Sequence, residues 1–209
     1  WQSLGFYELQ TIEIIRGIEN SVDVSVYCKE EFNAAQMKAL RLGLEEKLDV
    51  SRFADAQYDY MQMEELKQAV RSGMNMDDIC NPKFSHSVMR EIRLASELNY
   101  DLTRYAKLGY SGEVLRQIRL ARKEEIDLTF FVEDNYDEYQ LNEIRLGIHS
   151  CVDITKYLLH EYNGKQMEQI RLGLEEGIDV TPYNMVGFSS GQMKQIRLGL
   201  EEGIDRSEE

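Results

Sequence analysis

The chain has 209 residues, of which 43% are hydrophobic, 2 are Pro and 14 are Gly, which supplies a continuous core and argues against a loop-rich or disordered protein. Its 38 Asp and Glu against 24 Lys and Arg leave a formal charge of -14, a field that repels phosphate backbones, argues against direct nucleic-acid binding and favours solubility or a basic partner. No apolar run approaches the roughly 20 residues needed to cross a bilayer, no signal-peptide pattern opens the chain, and a start at Trp1 rather than Met reads as a piece of a longer protein.

Self-similarity dominates the sequence. Phe6, Phe32, Tyr58, Phe84, Tyr110, Tyr136, Tyr162 and Phe188 fall every 26 residues without a slip. Gly17, Gly43, Ala69, Ala95, Ala121, Gly147, Gly173 and Gly199 keep the same spacing, as do Asp23, Asp49, Asn75, Asp101, Asp127, Asp153, Asp179 and Asp205. Three ladders without an insertion define eight repeats.

Each repeat opens with a long helix. Asn33, Asp59, Ser85, Ser111, Asp137, Asn163 and Ser189 are N-caps, whose side-chain oxygens accept orphan amide protons of the first turn. Gln36, Gln62, Gln140, Gln166 and Gln192 stand three residues later and complete capping boxes. The aromatic before the cap and the Met or Leu at the fourth helical position, as Phe188 and Met193, form a hydrophobic staple. Gly73, Gly177 and Gly203 occupy the left-handed position that ends the helix, and Asn99 fills it in a fourth repeat. Ser21, Lys47, Glu125 and Cys151 fill it elsewhere, at some strain. The helix is then about 13 residues, roughly 20 Å long.

A second, shorter element follows. Ser25, Ser51, Thr103, Thr129, Thr155 and Thr181 read as its N-caps, with Pro182 at a first helical position. The few residues left before the next aromatic allow one short helical turn. No such repeat buries its own apolar face, so copies stack. The expected fold is all-α, an α/α superhelix (solenoid) of eight 26-residue repeats, each a long helix plus a short helical turn, forming one repeat domain over 1–209.

The phrase Gln-Met-x-x-Ile-Arg-Leu-Gly-Leu-Glu-Glu-Gly-Ile-Asp-Val-Thr-x-Tyr at 166–183 resembles a tandem repeat of bacterial proteins, some of them linked to mobile genetic elements. The resemblance covers essentially the whole chain, and repeats three to five depart furthest from the phrase. It carries no established activity. It implies bacterial origin and a scaffold role, and with no signal-peptide pattern the expected compartment is the bacterial cytoplasm.

Side-chain rows along the stacked repeats are the candidate surfaces. Ile14, Leu40, Leu66, Ile92, Ile118, Ile144, Ile170 and Ile196 share one helix face with the Met row and with Leu174 and Leu200, and read as core. The Gly/Ala row flanks that face, where close approach of neighbouring backbones explains the small residues. A basic row, Arg41, Lys67, Arg93, Arg119, Arg145, Arg171 and Arg197, sits at the core's edge, beside the Asp row and with Glu45, Glu97, Glu175 and Glu201 four residues on. It reads as a structural Arg–Asp or Arg–Glu lattice tying repeats together rather than as an acidic-ligand site. Leu42, Leu94, Leu120, Leu146, Leu172 and Leu198, interrupted by Arg16 and Gln68, lie nearly opposite the core stripe. They are either an exposed apolar seam for a partner or the apolar contact of a helix-ending motif, as Leu198 against Ile204.

Cys28, Cys80 and Cys151 form no CxxC; Cys28 and Cys80, two repeats apart, are too distant for a disulfide and are expected as buried free thiols in a reducing compartment. Their counterparts Ala54, Ala106, Val132 and Leu158 mark an apolar slot, with Asn184 the exception. No phosphate loop, HExxH, nucleophile elbow or Cys–His pairing occurs, and His86, His149 and His160 occupy three different repeat phases and share no site. No enzyme, cofactor or metal is therefore expected. The expected function is a non-catalytic scaffold binding a protein or peptide, because helix surface positions vary (Lys38, Glu64, Arg90, Arg116, Asn142, Glu168, Lys194) while stacking positions persist. An acidic mimic occupying a nucleic-acid-binding protein, or a spacer joined to a catalytic domain, are the alternatives.

Overall fold

The computed structural model describes residues 5–205, apart from the side chains of the last two. Among them lie ten α-helices, three single 3-10 turns and no strand. The long helices are α1 (Glu8–Glu19), α2 (Ala34–Glu45), α3 (Tyr60–Arg71), α4 (His86–Ser96), α6 (Gly112–Lys123), α8 (Glu138–His149), α9 (Gly164–Glu175) and α10 (Ser190–Asp205). Two five-residue helices, α5 (Thr103–Lys107) and α7 (Thr129–Glu133), fall between them. None of the described helices is long and apolar enough to cross a membrane. The chain divides into two compact units, Trp1–Leu115 and Arg116–Glu209. In the first, α2 packs against α1 and α3, and α3 against α4; in the second, α9 packs against α8 and α10.

Local chemistry sets the helix starts. Asn33, Asp59, Asp137 and Asn163 accept the amides of Gln36, Gln62, Gln140 and Gln166 at 2.8–3.0 Å. Each Gln side chain accepts the cap's own amide in return. Ser189 and Gln192 repeat the pattern. Ser85 and Ser111, followed by Val88 and Val114, cap through the hydroxyl alone.

The helix ends follow an equally regular rule. Ser21, Lys47, Gly73, Asn99, Glu125, Cys151 and Gly177 all take positive φ, between 54° and 72°. The next residue donates its amide five positions back, as Leu48 to Gly43, Val152 to Gly147 and Ile178 to Gly173 at 2.8–3.0 Å, which is a Schellman closure. Gly takes this geometry freely; the other residue types there accept left-handed strain, offset by a satisfied helix end. Gly203 departs from expectation: it lies inside α10, which runs 16 residues, and is not left-handed. Gly109 and Asn135, two further left-handed residues, close α5 and α7.

The short element requires a correction, because the cap of its 3-10 turns is the Asp/Asn row and not the Ser/Thr row, while α5 and α7 start after Leu102 and Leu128, which make no side-chain cap bond. Asp23, Asn75 and Asp153 are the N-caps of the 3-10 turns Val24–Val26, Met76–Asp78 and Ile154–Lys156. A short Asx side chain reaches the amide two residues on, donated in these turns by Ser25, Asp77 and Thr155. The bond recurs at Asp49–Ser51, Asp101–Thr103, Asp127–Thr129 and Asp179–Thr181, at 2.7–3.0 Å. The side chain of Asp205, the last of the row, lies outside the described residues. Thr103 and Thr129 are the first residues of α5 and α7, and Pro182 lies in a non-helical turn.

The core matches the periodicity in part: Ile14, Leu40, Leu66, Ile144 and Ile170 expose nothing, and neither do Met37, Met63, Met89 and Met167, whereas Leu174, Ile196 and Leu200, expected on the same face, are half-buried. The cysteines differ from expectation. Cys28 and Cys80 are half-buried and Cys151 is exposed, all three as free thiols; partial burial still pushes the Cys28 and Cys80 thiols up. Their slot is closed only on the two short helices, where Ala106 and Val132 are buried. Elsewhere it is half open, which is why Asn184 fits it, accepting from Tyr162 Oη and donating to the Lys156 carbonyl, each at 2.7 Å.

These groups set the response to pH. Hydrogen bonds from the Ser or Thr two residues on hold the Asp23, Asp49, Asp101, Asp127, Asp153 and Asp179 carboxyls below their usual range. A lowered carboxyl stabilises the fold above its unfolded value, about 3.9, and the contribution disappears as pH falls through the folded value. Burial pushes Tyr27 and Tyr183 up to about 12, so their contribution is complete below about 10 and is lost as pH rises through the folded value. Thermal melts by far-UV circular dichroism are expected to show a plateau from about pH 5 to about pH 9, falling on both sides. A midpoint that rises on acidification to about pH 3 contradicts the capping role of the Asp row.

Candidate interaction surface

The basic row is the most highly organised feature of the molecule. Arg41, Lys67, Arg145, Arg171 and Arg197 are all at least nine-tenths buried, and Arg93 and Arg119 are half-buried. Their partners lie mainly in the preceding repeat. Arg41 Nε donates to Glu13 at 2.9 Å, Arg171 Nε to Glu143 at 2.8 Å and Arg93 to Glu65 at 3.0 Å, each across 28 residues. Each also reaches the Glu four residues on in its own helix. Where the acceptor is Gln117 or Gln169, the guanidinium bonds that amide and turns Nη1 to a different carboxylate: Arg145 to Glu124 at 2.6 Å, Arg197 to Glu176 at 2.7 Å. Where the acceptor position holds Ala39, the cation is Lys67, which turns to Glu64 at 2.8 Å. The planar fork of Arg is therefore used where two acceptors await it, and Lys where none lies behind. The lattice is Arg–Glu; the Asp row takes no part in the ion pairs of Arg41, Arg93, Arg145, Arg171 and Arg197.

A second lattice, which the capping pattern conceals, runs through the Gln row. After capping its own helix through Oε1, each Gln donates Nε2 to the carbonyl of the aromatic 22 residues on: Gln10 to Phe32, Gln36 to Tyr58, Gln62 to Phe84, Gln140 to Tyr162 and Gln166 to Phe188, at 2.6–2.7 Å. A carboxylate caps as well but cannot donate. That the box residues are all Gln and never Glu is the signal in the sequence.

The Gly row has a different cause from the one expected. A Cβ at Gly17, Gly147 or Gly173 would lie 1.8–1.9 Å from the hydroxyl of Tyr27, Tyr157 or Tyr183 in the same repeat. Those hydroxyls donate to the helix carbonyls of Glu13, Glu143 and Gln169 at 3.2–3.4 Å. A tyrosine ten residues on, not a neighbouring backbone, imposes these three glycines. Ala69 and Ala121 stand where that residue is Ile79 and Phe131. Ala95 tolerates Tyr105, which belongs to the helix α5 and not to a turn, and Gly43 meets Val50 at 2.8 Å instead of a tyrosine.

The candidate Leu row is half-buried at all six positions, Leu42, Leu94, Leu120, Leu146, Leu172 and Leu198, so it is not an open apolar seam. Each lies one residue before the Gly/Ala position that accepts the Schellman bond, or would do so, the site where such closures place an apolar contact. Ile204, paired with Leu198 by the pattern, has its side chain outside the described residues. Of the variable helix positions, Lys38, Arg90, Arg116 and Lys194 are exposed, and Glu64, Asn142 and Glu168 half-buried. Phe130, Tyr139 and Leu108 are 71%, 68% and 66% exposed.

His160 bonds Asp134 at 3.0 Å and stacks on Tyr136 with ring centroids 4.1 Å apart, at the surface. His149 is exposed and His86 begins α4. Among the described residues no three His, Cys, Asp or Glu are grouped to hold a metal ion. No protein-family model, curated protein or solved structure matches the chain.

Proposed function

We propose that the chain is a stacked-repeat scaffold, an α-solenoid of eight 26-residue repeats, that binds a protein or peptide along its variable helix positions and performs no chemistry of its own. One observation carries this reading. The residues that recur every 26 positions have their polar groups committed to internal bonds: Gln to cap and clamp, Arg to Glu, Tyr to carbonyl, Asp to turn. What is left for a ligand is the set that varies, with Lys38, Arg90 and Lys194 facing solvent. Solenoids recognise extended partners in this way, by a fixed frame carrying variable surface side chains.

The test is capture by the immobilised chain, compared with single charge reversals at Lys38, Arg90 and Lys194. The expected result is a bound protein or peptide whose affinity falls at least tenfold with one or more reversals while the thermal melt is unchanged. Capture insensitive to all three reversals removes the reading. The Asp row, exposed and held ionised, favours the acidic-mimic alternative; under that alternative the captured partner binds DNA, and DNA displaces the chain in a salt-sensitive manner.

A further inference from the structure

Repeats three and four depart from the common pattern at two positions that line one cavity. Ser96 stands where Ile18, Leu44, Val70, Ile148 and Leu174 carry branched apolar side chains. Asp78 ends the 3-10 turn of repeat three, where Val26, Arg52, Arg104, Phe130, Lys156 and Pro182 are apolar or basic. The cavity measures about 220 Å³ and lies between that turn, the end of α4 and the segment 99–103 that leads into α5. All of it belongs to the Trp1–Leu115 unit, with helices described on both sides.

Thr103, also in the lining, is unlike the rest of its row. Ser25, Ser51, Asp77, Thr155 and Thr181 are exposed and Thr129 is half-buried, whereas Thr103 is 4% exposed. The Ser25 and Thr155 hydroxyls donate to Asp23 and Asp153 at 2.6 and 2.5 Å. Thr103 gives Asp101 its amide at 2.7 Å, but its buried hydroxyl has no partner, a state that only Thr11 shares among the described residues. Burying a hydroxyl without a bond is costly, so a ligand that supplies the bond recovers that cost.

The lining selects the chemistry of the ligand. Ile92 and Leu102 are buried and Met74 half-buried, an apolar wall suited to an aliphatic stem. The polar groups are acceptors: the Asp78 and Asp101 carboxylates, and the Ser96 oxygen, whose own proton goes to the Arg93 carbonyl at 2.7 Å. Two carboxylates fall short of the six or more oxygen ligands that calcium takes. The volume is below the roughly 300–1,000 Å³ of drug-sized ligand sites and suits a single side chain.

We propose that this cavity receives one basic side chain, lysine or arginine, presented by a partner peptide. Met74, Ile92 and Leu102 take the stem. Asp78, Asp101 and Ser96 accept from the ammonium or guanidinium, and the Thr103 hydroxyl gains its missing partner. The charge of -14 draws such a peptide in. The site goes beyond the reading of the variable helix positions: charge reversals at Lys38, Arg90 and Lys194 are expected to leave it unchanged, and either reading can fail alone.

The test is a two-dimensional amide NMR titration of the full chain with end-capped Gly-Arg-Gly, Gly-Lys-Gly and Gly-Gln-Gly. At least one basic peptide is expected to shift the amides of 99–103 saturably, and the neutral peptide to shift none. Ser96→Leu copies Leu44 and Leu174, keeps the net charge, and is expected to abolish the saturable shift with an unchanged or higher thermal melt. Asp78→Asn is expected to weaken binding about tenfold, and it decides the matter if Ser96→Leu lowers the melt. Shifts spread over the Asp turns of every repeat, or shifts that persist in Ser96→Leu, overturn the proposal, because bulk charge then accounts for them. Saturation by spermidine or calcium chloride with neither peptide binding also overturns it, by assigning the cavity to a free amine or a metal ion. So does the absence of a saturable shift with either basic peptide.

Discussion

Replacing Arg171 by alanine is expected to destabilise the Arg116–Glu209 unit by about 3 kcal/mol, the range in which breaking one side of a buried pair falls. Arg171 and Glu143 side chains are each 10% exposed. Removing the guanidinium leaves the Glu143 carboxylate with the Asn142 amide at 2.8 Å and no adjacent positive charge. The reciprocal change, Glu143→Ala, is expected to cost less, because Arg171 keeps both of its bonds to Glu175 at 2.8 Å. The molecule already contains a third solution, Ala39 with Lys67 turned to Glu64. The double variant Glu143→Ala with Arg171→Lys copies it, with Glu168 standing where Glu64 does, and is expected to recover at least half of the loss. Urea titrations of the three variants followed by circular dichroism check this ordering. Equal losses for Arg171→Ala and Glu143→Ala would mean that the pair is not coupled as its geometry requires.

Gly147→Ala is the second large effect. Alanine is normally favoured over glycine inside a helix by about 1 kcal/mol, but here the added carbon lands 1.9 Å from Tyr157 Oη. Overpacking of this kind costs about 1–3 kcal/mol, and the bond from Tyr157 to the Glu143 carbonyl is lost as well. A net loss of about 2 kcal/mol is expected. Tyr157→Phe removes the obstructing oxygen, so Gly147→Ala added to Tyr157→Phe should cost clearly less. Gly199→Ala, at the same repeat position with nothing within 4 Å of the added carbon, is the control and should be neutral or stabilising. A loss at Gly199 equal to that at Gly147 would assign the row to backbone conformation instead of to tyrosine.

The same two rows show how far the sequence can be read. The 26-residue ladder, the helix starts at Asn33, Asp59 and Asn163, and the left-handed ends at Gly73, Asn99 and Gly177 are local events. Each is decided within a few residues by the reach of one side chain or the freedom of one φ. Acidic partners for the Arg row are legible too, because the Glu four residues on stands in plain view. That the principal partner is 28 residues back is not, since it depends on how one helix lies on the previous one. The Leu row is ambiguous for the same reason: an angle around a helix axis says which way a side chain points and not what already occupies that side. Half-burial of all six leucines rules out only the open seam.

Two expectations yield to geometry of an intermediate kind. The Ser/Thr row reads as a set of caps because hydroxyls cap helices, but the Asx oxygen two residues earlier reaches the same amide first. The Gly row reads as a backbone contact because small residues often mark one, yet the tyrosine that demands Gly17, Gly147 and Gly173 arrives ten residues later, after a turn has folded it back.

What the sequence determined by itself is everything governed by short-range stereochemistry: the repeat length, the helix starts, nearly all the helix ends and the apolar face. What only tertiary structure decided is which donor meets which acceptor between one helix and the next, and which faces stay open. The division has a physical cause. A capping bond is selected by the few torsions between neighbouring residues, whereas the Arg171–Glu143 pair and the Gln166–Phe188 clamp exist only after packed helices have fixed the separation and tilt of groups 28 and 22 residues apart in the chain.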